Sequence, residues 1–179
     1  MPTESAQAPP GEIEQIFRDH HGMVFRAAYR ITGNPSDAED VLQTVFLRLV
    51  RRDPSAEAVA NMPSYLHRAA VNSALDLVRS RQNARNIPLE DVAPSLRENA
   101  SLAPDRAHSS AEAREWLRGA VARLSPQAAE IFSLRFFEGK DNGEIAAIVG
   151  TTTGTVAVTL SRARDRMEKE FRAYQGAKS

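Results

Sequence analysis

"GEIAAIVGTTTGTVAVTLSRARDRM", residues 143–167, is the stretch that decides the fold. Its first seven residues suit a short helix, Gly150 stops it, and the apolar positions beyond recur at helical spacing. On a wheel of about 100° per residue, Val156, Leu160, Ala163, Met167 and Phe171 fall on one narrow seam. Thr155, Thr159, Arg162 and Arg166 cluster on a separate face. A short helix, a tight turn and a longer helix make the helix-turn-helix pattern. Small hydroxyls at its start (Thr152, Thr153, Thr155) let the backbone approach DNA closely, and the free amides there favour phosphate. Threonine can also meet a base edge, and the arginines behind it take phosphate or guanine. A solvated amphipathic helix with threonine caps has the same pattern, so both readings stand on these residues alone.

Upstream, Asp141 and Glu144 have capping-box spacing, and "SPQ" at 125–127 offers a serine cap followed by proline at the first helical position. Between them Ile131, Phe132, Leu134 and Phe136 form a helix that ends at Gly139. Trp116, Leu117, Ala120, Val121 and Leu124 carry the helix before it. Residues 87–110 hold several prolines and polar residues without sustained periodicity and read as a linker. N-terminal to it, Ile13, Ile16, Phe17, Val24, Ala27, Ala28 and Ile31 step by three and four, and "TGNP" breaks that helix. A second helix opens at "SDAEDVLQ", where Ser36 and Glu39 have capping-box spacing, and buries Val41, Leu42, Val45, Phe46 and Leu49. A third runs from about Pro63 to about Arg81. The fold class is therefore all-α: two small helical domains joined by a flexible linker, the C-terminal one carrying the helix-turn-helix. The expected boundaries are a tail at 1–11, a first domain at 12–86, the linker at 87–110 and a second domain at 111–175.

Composition narrows the function classes. The chain has 179 residues and no cysteine, which removes disulfides, thiolate nucleophiles and cysteine-based zinc sites. Its four histidines (His20, His21, His67, His108) lack metal-ligand spacing and read as surface or boundary residues. No Gly-rich phosphate loop or nucleophile–base arrangement is visible, so neither an enzyme nor a cofactor is expected. With no signal-like N-terminus and no long apolar run, the expected location is cytoplasmic, without membrane insertion. Lysine plus arginine number 23 against 23 acids, a balance that leaves DNA binding to local patches.

Two further constellations carry polar chemistry. Tyr65, Arg68, Asn72, Asp76, Arg79 and Asn83 form one stripe on the third helix, with Arg81 in the basic end beside it. An aromatic with arginines and amides suits unpaired bases, and a solvated face with structural Arg–Asp contacts has the same composition. Asp37, Glu39 and Asp40, followed by Gln43 and Phe46, concentrate acid at one helix start. The macrodipole accounts for that more readily than a partner surface does, on these residues alone.

In this order the segments resemble a bacterial RNA polymerase sigma factor of the extracytoplasmic-function (ECF) subfamily of the sigma-70 family. "FRDHHGMVFRAAYRITGNPSDAEDVLQTVFLRLVRR" resembles the start of region 2, and "YLHRAAVNSALDLVRSR" its promoter-melting part. "LSPQAAEIFSLRFFEGKDNGEIAAIVGTTTGTVAVTLSRARDRM" resembles region 4. The resemblance implies promoter recognition, DNA opening and transcription initiation, with core RNA polymerase and promoter DNA as partners and an anti-sigma protein as a further one. It implies that Asp37, Glu39, Asp40, Gln43 and Phe46 dock on polymerase. It places Tyr65, Arg68, Asn72, Asp76, Arg79 and Arg81 near the minus-ten element. Thr152, Thr153, Thr155, Val158, Thr159, Arg162 and Arg166 would enter the major groove of the minus-thirty-five element. The family often has tryptophan at the position of Tyr65, and polar groups where this chain has Ala157 and Val158. The rival expectations are a stand-alone helix-turn-helix regulator, which would bind DNA without polymerase, and a purely protein-binding adaptor.

Overall fold

Short polar side chains set where the helices begin. The computed structural model describes residues 10–53, 58–86 and 105–176. Among them the chain forms seven helices and no strand: α1 (Pro10–Thr32), α2 (Pro35–Val50), α3 (Met62–Asn86), α4 (Asp105–Ala122), α5 (Pro126–Phe136), α6 (Asn142–Val149) and α7 (Thr153–Gly176). The Ser125 hydroxyl accepts the Ala128 N–H with Pro126 as the first helical residue, as the sequence predicts. The box at Asp141 and Glu144 closes in both directions. Asp141's N–H holds the Glu144 carboxyl below the usual carboxylate range, helped by Lys140. That contribution is present above the ordinary value and fades as pH falls through the lowered one. Replacing Asp141 with alanine is expected to cost about 1 kcal/mol in urea denaturation; an unchanged midpoint would make the cap irrelevant.

Several expected boundaries move. The cap of α2 is Asn34, not Ser36: its side chain accepts from the N–H groups of Ser36 and Asp37. Pro35, with its fixed φ, takes the first helical position, which leaves Ser36 inside the helix. The linker ends earlier than expected, because α4 starts at Asp105, and the N-terminal tail ends earlier, because α1 starts at Pro10. α3 continues five residues past Arg81, to Asn86. The rest of the expected tail and linker lies outside the described residues.

Helices α1, α2 and α3 pack on one another as an N-terminal lobe; α4, α5, α6 and α7 form a C-terminal one. Val24, Ala27, Ala28 and Ile31 of α1 meet Val41, Val45 and Leu49 of α2 and Leu66, Ala70 and Val71 of α3 in the buried core. Ile131, Leu134, Ile145 and Val156 are fully buried in the C-terminal lobe. Three of the expected apolar positions lie at the surface: Phe136, which is 46% exposed, and with it Phe17 and Phe171. Phe17 is exposed and meets the edge of Phe46 at 4.9 Å, and Phe171 is exposed but packs edge-on against Trp116 at 5.0 Å. The lobes touch: α3 packs against α4, α5 and α6. No single helix among the described residues is long and apolar enough to cross a membrane.

Candidate nucleic-acid interface

Gly150 has φ 73°, a left-handed conformation that side chains with a Cβ seldom adopt, and it ends α6 there. The chain then turns into α7, which meets α6 at 104°, within the usual range for a helix-turn-helix. Thr152 caps α7: its hydroxyl accepts the Thr155 N–H at 3.1 Å and lies 2.9 Å from the Thr155 hydroxyl. Those two hydroxyls are thus engaged in starting the helix. Val156, Leu160, Ala163 and Met167 are buried, which fixes the helix's rotation about its axis. Thr153, Val158 and Arg162 stand exposed on the outer side. Thr159 is half-buried, in a groove of about 320 Å³ that it shares with Arg162, Arg166 and Ser125 at the start of α5. A helix start beside two guanidiniums suits a phosphate.

The arginines of α7 are not equivalent. Arg162 joins no ion pair among the described residues, whereas Arg166 Nε reaches Glu170 at 3.2 Å. Glu170 also holds Arg123, the residue after α4, at 2.8 Å. Burial works against ionisation of Glu170, but the two guanidiniums outweigh it and keep its carboxyl below the usual range. Arg164 points elsewhere, lying 6.0 Å from the Phe136 ring centroid.

Arg68, Asn72 and Arg79 of the α3 stripe face the other lobe, while Asp76 and Asn83 stand exposed. Arg68 Nε lies 2.8 Å from Glu130 Oε1 of α5, and Asn72 hydrogen-bonds the same carboxylate. Arg79 Nε donates to the Ala122 carbonyl at 2.8 Å and so caps the C-terminus of α4. Its other arm pairs with Asp76 at 3.3 Å. Tyr65 is half-buried beneath the Arg52 guanidinium, 5.8 Å away. Arg81 grips Asp37 of α2 through two hydrogen bonds.

That last pair corrects two expectations. Asp37 is 3% exposed and its carboxylate is committed to Arg81, so it presents nothing to a partner; Phe46, at 7%, belongs to the core. Glu39, Asp40 and Gln43 do stand exposed at the start of α2. Buried charge is what the sequence reading missed. Glu130 lies inside an apolar run, and Glu138 follows α5 with its side chain 7% exposed. His67, expected at the surface, is buried against Glu138 at 3.1 Å. A lone acid within "AAEIFSL" was the available signal.

Comparison with known proteins covers both lobes. The Sigma-70 region 2 family model matches residues 16–84, and the Sigma-70 region 4 model matches residues 114–167. The RNA polymerase sigma-E factor of Streptomyces coelicolor is 30% identical over 160 residues, covering 89% of this chain and 86% of that protein. The ECF RNA polymerase sigma factor SigE of Mycolicibacterium smegmatis is 31% identical over 171 residues; the match covers 90% of this chain but only 62% of that protein's length. Among solved structures, CnrH in complex with the cytosolic domain of CnrY shares the fold, with a TM-score of 0.54 at 20% identity over 93% of this chain and 91% of CnrH.

Proposed function

Since the chain belongs to the ECF sigma factors of the sigma-70 family, we propose that it binds core RNA polymerase and directs promoter recognition, DNA opening and transcription initiation. One observation carries this reading. A three-helix lobe that matches region 2 is joined, in one chain, to a helix-turn-helix whose outer face offers Thr153, Val158 and Arg162. A stand-alone regulator leaves the first lobe without a purpose, and an adaptor leaves that outer face without one.

Roles divide by lobe. The exposed start of α2, with Glu39, Asp40 and Gln43, docks on polymerase. Thr153, Val158, Thr159, Arg162 and Arg166 of α7 meet the minus-thirty-five element, with Val158 against a thymine methyl. The stripe of α3 holds exposed bases at the minus-ten element and offsets an unstacking cost of a few kcal/mol per step. No bond-making step is assigned to the chain. It acts in the cytoplasm, where polymerase is, and an anti-sigma protein that covers these surfaces fits the same scheme.

The neutral net charge follows from the division of labour. Polymerase supplies most of the nonspecific attraction for DNA, so this subunit needs only local positive patches. The free chain should bind promoter DNA weakly, yet co-migrate with core polymerase in gel filtration. Tight sequence-specific binding by the free chain, with no co-migration, would establish the stand-alone regulator instead.

A further inference from the structure

We propose that the packing of the two lobes is a latch centred on Glu138, which holds the polar face of α3 against α5 in the free protein and releases it on opening. That this face meets DNA rests on the function proposed above; the latch itself rests on the contacts.

Glu138 is contributed by the C-terminal lobe, yet its bonds are to the other one. Its Oε2 accepts from Arg30 Nη1 of α1 at 2.8 Å and from His67 Nε2 of α3 at 3.1 Å. One carboxylate thereby ties two helices of the N-terminal lobe to the end of α5. Around it three residues of the α3 stripe are engaged: Arg68 and Asn72 with Glu130, Arg79 with the end of α4. Further along, Gly119 of α4 lies so close to the Gln82 amide that a side chain there would displace it. Promoter DNA and α5 cannot occupy the same face of α3 together.

The latch is built to open. Glu138 Oε1 is buried without a hydrogen-bond partner among the described residues, a desolvation cost that vanishes when the lobes part. The 18 residues between Asn86 and Asp105, at full extension, permit a separation of up to about 60 Å. Interfaces between domains of one chain resemble transient ones, for which relative motion is the ordinary expectation.

The two acids act in opposite senses. Burial pushes the Glu138 carboxyl up, but His67 and Arg30 outweigh it and hold it below the usual range, so closure favours its charge. Burial also pushes the Glu130 carboxyl up, and there Arg68 and Asn72 only partly offset it, so closure works against its charge. Neutralising Glu138 should open the molecule; neutralising Glu130 should not.

The chain has no cysteine, so Arg51→Cys and Lys169→Cys on the full chain give two unique labelling sites, one per lobe. Energy transfer between them should report one short-distance population. Glu138→Gln should move the population toward long distances by roughly tenfold, the worth of a hydrogen bond to a charged group. Arg30→Gln, at an exposed guanidinium, should do the same without risk to the core, and Glu130→Gln should leave the chain closed. Long distances in the unsubstituted chain, or closure that survives both Glu138→Gln and Arg30→Gln, would overturn the latch. Single-round transcription with core polymerase at limiting chain, without labels, separates this from the functional reading. Glu138→Gln should raise transcript yield. If no form of the chain supports transcription, the functional reading fails while the distances still decide the latch.

Discussion

Replacing Arg162 with alanine is expected to lower initiation from a dependent promoter by about tenfold, while leaving the chain's unfolding midpoint unchanged. Its guanidinium is exposed on α7 and joins no ion pair among the described residues, so truncation strands no buried partner. All of its effect should therefore fall on the DNA contact, which is worth about 1–3 kcal/mol if it reads guanine. Templates substituted across the minus-thirty-five element distinguish the two possible contacts. A base contact relaxes specificity at one position, whereas a phosphate contact weakens every template alike and flattens the salt dependence. Arg164→Ala serves as the control: its guanidinium packs near the Phe136 ring and not in the groove. Equal transcript levels from both variants and the parent would remove α7 from promoter recognition.

The largest expected loss of stability comes from Arg81→Ala. Asp37 is 3% exposed, and the Arg81 guanidinium is its partner through two hydrogen bonds. Removing that partner leaves a buried carboxylate unpaired, at a cost of about 2 kcal/mol; the figure is kept low because half of the arginine is open to solvent. Adding Asp37→Ala should recover part of the loss, because the stranded charge goes with it. Urea denaturation of the two single variants and the double variant measures this. A double variant as unstable as the sum of the singles would mean that the two residues act independently.

Much of the fold was legible because its signals are local. The seam of Val156, Leu160, Ala163 and Met167, the caps at Ser125 and Asp141, and the left-handed Gly150 each follow from spacing and backbone sterics within one turn or two. Asn34 was missed as a cap because "NPSDAED" holds two competing candidates, and Pro35 decides between them. The candidate site was less legible. Periodicity tells which side of a helix is apolar, but not what meets the polar side, so the α3 stripe alone read more readily as a solvated surface than as a DNA-facing one. In the structure it faces Glu130 and the end of α4. Asp37 looked like part of an acidic patch with Glu39 and Asp40; its burial depends on Arg81, 44 residues away. His67 likewise takes its burial from Glu138, 71 residues away. Contacts of that separation leave no trace in a window of helical spacing.

On the proposed function, two modest DNA contacts, one in each lobe, become selective when polymerase fixes their distance along the duplex. The direct test is single-round transcription by core polymerase, with and without the chain, on a dependent promoter and on a version with about half a helical turn, roughly 5 base pairs, inserted between its two elements. The expected result is a specific transcript only when the chain is present, and its loss on the lengthened template. Equal transcript without the chain, or undiminished transcript from the lengthened template, would contradict it.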